Sequence, residues 1–354
     1  MKVMGWDAET ILSSNDTDLL RQLLAAAEEV RLAHRGDEVY ARGLIEYSNQ
    51  CQRDCLYCGL RLSNRSLHRY RLEPAEIIAR GVAMHKLGIS SIALQAGESN
   101  SDREVSRMAG VIRELREIGM RDGSPGLGVT LSMGEMTYQQ YKRLYEAGAH
   151  RYLLRIESSD RKLFGCIHPL NQIYERRLEC LSYLKDIGYQ VGSGVMIGLP
   201  GQSYASLAAD LQFFVERDID MLGMGPYIPH PHTPLAAVQD FFIKDAFITS
   251  VKMMALARLM MPDINMVVST ALQNINPQGL TLGIRAGGNV VMPVFTPEKY
   301  RADYALYANK ESKNLECMRM EVEAAGYRLC FDKWGDSPHY FNRRRAGRKE
   351  SGLA

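Results

Sequence analysis

Three thiols stand within eight residues in Cys51-Gln52-Arg53-Asp54-Cys55-Leu56-Tyr57-Cys58, a C-x3-C-x2-C spacing. Three thiolates in a single loop can hold three corners of an iron–sulfur cubane. Zinc asks for a fourth protein ligand at comparable spacing, and the nearest candidate is His68, ten residues further on. A four-iron cluster with only three protein thiolates leaves one iron open, so a small molecule must complete its coordination. A closed zinc or iron–sulfur staple is the competing reading. The remaining four of the seven cysteines, Cys166, Cys180, Cys317 and Cys330, are scattered and read as small buried hydrophobes. An odd number so distributed is no disulfide framework.

Other polar residues sit at the ends of apolar runs. Arg155 follows Leu153 and Leu154, so its guanidinium should face a closed interior and needs a negative partner there, either an anionic ligand or an internal carboxylate. Thr130, Ser132, Ser269 and Thr270 offer hydroxyls suited to a carboxylate or a cyanide-like ligand, and each equally suits a hydroxyl satisfied within its own strand. His230 and His232, set among prolines, read as a rigid loop in preference to a metal site.

Positioning these groups requires a regular scaffold. Strand-like runs occur at 41–47, 91–94, 127–131, 151–154, 190–196, 220–224, 265–268 and 290–292, with helical patterns at 74–87, 101–118, 137–147, 172–187, 204–217 and 244–260. Alternation of this kind predicts an α/β fold, a (βα)8 TIM-type barrel, with a doubly wound open sheet as the alternative. The barrel is preferred because polar and glycine-rich motifs recur at the C-terminal ends of the strands, where a barrel has its mouth. A helix over 17–34, with Leu19, Leu20, Leu23, Leu24 and Val30 on one stripe and no strand before it, predicts a lid across one end. The expected organisation is an N-terminal helical cap over 1–38, a barrel over 39–305 and a C-terminal helical extension with a basic tail over 306–354. A length of 354 residues suits one such barrel.

Composition narrows the function classes. With 46% apolar and 24% charged residues the chain is neither disordered nor fibrous. Its 43 Lys+Arg against 41 Asp+Glu leave a net +2, too balanced for a dedicated nucleic-acid binder. The basic run 343–349 reads as a solvated, partly disordered tail, with a partner or RNA patch as the alternative. The N-terminus lacks an apolar stretch of signal-peptide length, so a cytoplasmic location is expected. Two uncharged segments, 187–209 and 264–284, are broken by Gly, Pro, Asn, Gln and Ser and read as strands and loops of a folded interior, without a membrane partner.

A C-x3-C-x2-C loop with the aromatic Tyr57 before its last cysteine, placed after the first barrel strand, resembles the radical S-adenosylmethionine (SAM) family. The resemblance implies a [4Fe–4S] cluster on Cys51, Cys55 and Cys58, whose open iron takes the amino and carboxylate groups of SAM, and reductive cleavage of SAM to a 5′-deoxyadenosyl radical. Gln95-Ala96-Gly97-Glu98 stands where the family has the segment that receives the SAM amino group, and Tyr57, Gln95, Gly97, Glu98 and Ser132 are implied as cofactor-binding. Within the family, residues 38–305 resemble the HydE group of [FeFe]-hydrogenase maturases. The likeness is carried by Cys58-Gly59-Leu60-Arg61, Arg69-Tyr70-Arg71-Leu72, Arg151-Tyr152-Leu153-Leu154-Arg155, Gly198-Leu199-Pro200-Gly201-Gln202, and Gly225-Pro226-Tyr227-Ile228-Pro229-His230-Pro231 with Thr233-Pro234-Leu235 following. Methylornithine synthase and biotin synthase are similar in barrel and cluster.

The likeness implies that Glu157 holds the ribose hydroxyls of SAM, with pairing to a nearby Arg as the competing reading. Arg177 or its neighbour Arg176 would meet the SAM carboxylate. Met221, taken to end a strand at the mouth, would pack on the adenine or belong to the core. Substrate would be met by Arg155, Thr130, Ser269, Thr270 and Tyr300. It implies as substrate a cysteine-bound iron complex bearing CO and cyanide, supplied by HydG and passed on to HydF, and a monomeric enzyme. Two features depart from the group: Ile156 replaces an aromatic or His residue, with Ser158-Ser159 after Glu157, and Cys317 stands alone where some members carry a cysteine trio, so no second cluster is expected. Two other functions compete: a radical mutase or thiolation enzyme acting on an amino acid, and a non-catalytic iron–sulfur carrier, which has no need of Glu98, Glu157 and Arg177 together.

Overall fold

The computed structural model describes residues 2–120, 123, 125–311 and 313–350. A short hairpin of β1 (Lys2–Val3) and β2 (Trp6–Asp7) leads into α1 (Ala8–Ser13) and α2 (Thr17–Arg35). Asp16 caps α2, accepting from the Asp18 and Leu19 amides, and Gly36 ends it at φ 66. The first barrel strand comes in two pieces, β3 (Glu38–Ala41) and β4 (Gly43–Ser48), broken at Arg42. Then follow β5 (Ser91–Ala96), β6 (Gly128–Ser132), β7 (Ala149–Leu153), β8 (Gln190–Ser193) with its continuation β9 (Met196–Ile197), β10 (Met221–Pro226), β11 (Asn265–Val268) and β12 (Val290–Val291).

All the pairings between these strands are parallel. β4 pairs with β5 while β3 pairs with β12, and a bridge joins Leu44 to Val294, so the first strand closes the wall from both sides. The result is the expected eight-stranded barrel. Between the strands run α3 (Pro74–Lys86), α4 (Asp102–Glu117), α5 (Tyr138–Glu146), α6 (Arg161–Ile167), α7 (Tyr174–Ile187), α8 (Tyr204–Glu216), α9 (Ala246–Met260), α10 (Thr270–Ile275) and α11 (Gly279–Arg285). α9 is buried at every position from Thr249 to Arg258, as expected of a helix that is apolar on most sides and covered on both. Its outer cover is α2, which lies along α9 and α11. The N-terminal helix is therefore a second layer beside the wall and not a lid across one end; Arg31 and Arg35 reach the barrel base, bonding Gly288 O and Asn265 Oδ1. The uncharged segment 264–284, expected as strand and loop, holds two helices, α10 and α11.

Beyond α12 (Glu298–Arg301) and α13 (Leu315–Ala324), the chain adds β13 (Arg328–Cys330), parallel to β3, and α14 (Pro338–Glu350). The intervening segment seals the barrel floor. Trp334 lies under Gly128, where a Cβ would come within 2.8 Å of its ring, and Asp336 pairs with the fully buried Arg151 at 2.5 Å. The basic run is not wholly solvated: Arg343 donates to both oxygens of the buried Asp220 at 2.7 and 2.8 Å. The side chains of Arg348 and Lys349 lie outside the described residues. Among the described residues, no helix is long and apolar enough to cross a membrane.

Candidate functional site

The loop after β4 is fixed by side chains that bond its backbone. Asn49 donates to the His68 and Asp303 carbonyls at 2.7 and 2.8 Å, and Arg69 bonds four carbonyls, those of Asn49, Leu60, Arg61 and Asn64. Asp54 takes both Arg61 donors and the amide and hydroxyl of Ser63. Burial opposes its charge, yet these bonds hold it at about 2. So secured, the loop presents Cys51, Cys55 and Cys58 as free thiols to one cavity of about 340 Å³ that fills the barrel. Burial pushes all three thiols up, Cys55 to about 12, which suits cysteines that become thiolates only when a metal centre offsets the charge. Gln172 accepts from Cys55 Sγ at 3.4 Å. Gly97 lies so close to this loop that a Cβ would meet Gln50 O at 2.4 Å and Cys51 Cβ at 2.8 Å. Its lack of a side chain thus serves the seating of the cysteine loop.

Beside the cysteines runs an alternating chain of charges. Glu98 accepts from Arg53 Nε at 2.5 Å, Arg53 donates to Glu135 at 3.1 Å, and Glu135 accepts from Arg177 Nε at 2.8 Å. Arg177 also donates to the Arg155 carbonyl. Arg177 lines the cavity, whereas Arg176 turns outward to Glu179 and the Met136 carbonyl. Glu157 follows β7 in the left-handed conformation, φ 63, and its Oε2 is buried without a hydrogen-bond partner. Burial raises its pKa against the pull of Arg155 and Arg177. Tyr57 Oη lies 3.4 Å from His168 Nε2. Burial and the charge of Arg177 push His168 down to about 3. Its ring is therefore neutral, and with Nδ1 donating to the Phe164 carbonyl, Nε2 is left as acceptor.

The same cavity is lined by Gln95, Thr130, Ser132, Arg155, Ser269 and Thr270. Some of their groups are already engaged: the Thr130 hydroxyl accepts from Arg151 at 2.8 Å, and Ser269 caps α10. Among the described residues, the one carboxylate within 4 Å of Arg155 is Glu157, at 3.9 Å, too far for a hydrogen bond.

Two expected positions are corrected. Met221 opens β10 instead of ending it, because that strand continues to Pro226; it lies at the floor, with Sδ 3.3 Å from Arg42 Nη1, far along the strand from the mouth. Tyr300 does not line the cavity but stacks on Tyr70 at 4.5 Å, and Tyr304 and Tyr307 form that wall. Sequence reading also missed a pair of charges. Glu46, 1% exposed on β4, and Lys310 both line the cavity and bond each other, and Glu46 also accepts from the Thr296 hydroxyl. A carboxylate in an otherwise apolar strand was the available signal for Glu46. Lys310 arrives from beyond the barrel and carries no local signal.

The donor set fits a cluster with a nucleoside-type ligand beside it: three free thiols, an orphan carboxylate oxygen at Glu157, and a buried Tyr227 hydroxyl also lacking a partner. Among the described residues, no three His, Cys, Asp or Glu side chains converge on a single-ion site.

A family model described as the Radical SAM superfamily matches residues 45–214. The chain is 40% identical over 336 residues to the [FeFe] hydrogenase maturase subunit HydE of Thermotoga maritima, spanning 93% of this chain and 92% of that protein. It is 26% identical to the 3-methylornithine synthase of Methanosarcina barkeri, over 91% and 87% of the two chains. The crystal structure of methylornithine synthase (PylB) is similar with a TM-score of 0.78 at 24% identity, covering 92% of this chain and 95% of that one, a likeness of fold.

Proposed function

Because the chain belongs to the radical SAM superfamily, an enzyme family that uses a [4Fe–4S] cluster and SAM, we propose that it serves in [FeFe]-hydrogenase maturation, acting on a cysteine-bound iron complex bearing CO and cyanide. What supports this reading is the 40% identity to HydE over nearly the whole of both chains. In it, Cys51, Cys55 and Cys58 hold the cluster. Glu98 and Arg177 meet the amino and carboxylate ends of SAM, and Glu157 takes the ribose hydroxyls on its orphan oxygen. Tyr57, Gln95, Gly97 and Ser132 complete that wall.

Bound together and reduced, cluster and SAM supply a carbon-centred radical for hydrogen abstraction. The chain's own residues orient and enclose. Arg155 offers a guanidinium to an anionic substrate group, with Thr130, Ser269 and Thr270 as nearby hydroxyls. Glu46 and Lys310 give the same cavity a buried carboxylate and an ammonium. An amino acid carries both complementary charges, so these groups suit the cysteine part of an iron complex. They equally favour a second reading, a radical mutase or thiolation enzyme acting on a free amino acid. The seven free cysteines support a reducing, cytoplasmic setting. We take the enzyme to work there as a monomer, receiving its substrate from HydG and handing its product to HydF.

Anaerobically reconstituted protein should hold about four irons per chain. With dithionite and SAM it should release 5′-deoxyadenosine, faster with a cysteine-bound iron carbonyl complex than with free amino acids. Cys55→Ala should abolish iron loading and release. Equal stimulation by a free amino acid would turn the reading to the mutase, and cluster without any release would turn it to a carrier.

A further inference from the structure

Glu157 is a non-glycine residue at φ 63, a strained conformation that persists only where the surroundings enforce it. On one side the enforcement is a backbone bridge to β8 and β9: its N–H donates to Gly194 O at 3.0 Å and its carbonyl accepts from Met196 N at 3.2 Å. On the other side it is Ser159, held at both of its backbone groups by side chains from two helices. Asp210 Oδ1 of α8 accepts from the Ser159 N–H and from its hydroxyl, each at 2.6 Å, and the Tyr174 hydroxyl of α7 donates to the Ser159 carbonyl at 2.9 Å. Asp210 is wholly buried, and its Oδ2 has no hydrogen-bond partner. The neighbouring inward positions of α8, Leu207, Leu211 and Phe214, are apolar. A carboxyl group here is costly to bury, and Asp210 does not line the cavity.

We propose that Asp210 is a positioning residue for the nucleoside site: by pinning Ser159 it locks the turn that keeps Glu157 in its strained conformation with its carboxylate aimed into the cavity. The inference rests on Glu157 as the ribose ligand. All three clamped groups belong to Ser159, and its hydroxyl is the one among them that another residue type would not supply. A charge at Asp210 is not required by the geometry; an acceptor at Oδ1 is.

The test is a double-mutant cycle on the anaerobically reconstituted enzyme, reading SAM affinity by titration and iron content in parallel. Asp210→Ala should weaken SAM binding about tenfold, the scale of losing one hydrogen bond to a charged group, with iron content kept. Asp210→Asn keeps the acceptor and should stay within about threefold of the parent. In a Glu157→Ala background, Asp210→Ala should produce no further loss, because the residue it positions is gone. If Asp210→Ala fails to fold, Tyr174→Phe tests the same clamp from its other end, with a smaller loss that again vanishes without Glu157. Additive losses, or unchanged affinity in a folded Asp210→Ala or Tyr174→Phe protein, would overturn the positioning role while leaving the ribose reading intact. Unchanged affinity in Glu157→Ala alone would overturn the ribose reading and the clamp with it.

Discussion

A charge that lines a barrel cavity must be answered by an opposite charge, by water or by a ligand, and Arg155, two residues past β7, meets only part of the first condition. Its Glu157 partner is 3.9 Å away and its side chain is 34% exposed to the cavity. Removing the guanidinium should therefore cost little stability, ~1 kcal/mol or less, as for a loose solvated pair. Arg155→Met should melt near the parent temperature and cleave SAM normally without substrate, yet lose the substrate-dependent rise in 5′-deoxyadenosine. A variant fully responsive to substrate would remove Arg155 from the site. The same rule that made Arg155 legible applied to Glu46 in the apolar Gly43–Ser48 strand. Met221 misled for a different reason, because a residue is at the mouth only if its strand ends there, and the strand end at Pro226 is fixed by pairing with β9. Tyr300, Tyr304 and Tyr307 have no periodic pattern to separate cavity wall from outer packing.

Elements were legible where their own periodicity sufficed. Helices α3, α4, α5, α8 and α9 lie where the apolar stripes put them, because each buries one face or most of its surface against the barrel. The break between β8 and β9 and the three-residue β13 were not, since such short stretches are defined by distant partners. α14 is a similar case: a basic run reads alike whether it is solvated or docked, and the acids that dock it, Asp218, Asp220 and Asp263, lie far off in sequence. His339 of α14 is bound by two of them, Asp218 at 2.6 Å and Asp263 at 2.9 Å. The bond to Asp218 raises its pKa above the ordinary value, burial opposes this, and Asp263 adds to the rise. Both ring nitrogens can donate only in the protonated form. A raised pKa means stabilisation fully present below the unfolded value of ~6.5 and lost as pH climbs through the folded value. Amide exchange across α14 should therefore quicken as pH rises above that range, beyond the intrinsic base-catalysed increase. His339→Gln should remove the extra pH dependence; an unchanged profile would show that Arg343 and Asp220 carry the docking alone.

At the scale of the whole molecule, the seam expected after residue 305 does not coincide with where the barrel is sealed. The mouth is strapped from beyond it, with Leu306 O accepting from Gly59 N–H at 3.0 Å, Ala308 N–H reaching Pro229 O, and Lys310 bonded to Glu46. So is the floor, where Gly335 O accepts from Arg42 at 2.9 Å and Asn265 at 2.8 Å, and Asp336 faces Arg151. Burial opposes the charge of Asp336, but Arg151 and His150 hold its pKa well below the usual carboxylate range. Arg151 is 0% exposed, so deleting its partner leaves an uncompensated buried charge, which costs ~3–5 kcal/mol. Whole-domain stability is only ~5–15 kcal/mol. Asp336→Ala should accordingly lower the urea midpoint by much of its value while the fold persists, with the signal of Trp334 still sensitive to native packing. The chain cut to residues 39–305 loses this pair, the β13 partner of β3 and the mouth strap together. It should show no cooperative urea transition and load little iron, because the loop bearing Cys51, Cys55 and Cys58 is then held on one side only. A sharp transition and full iron loading in the cut chain would mean that the barrel stands without its C-terminal seals, and that the expected seam is a true domain boundary.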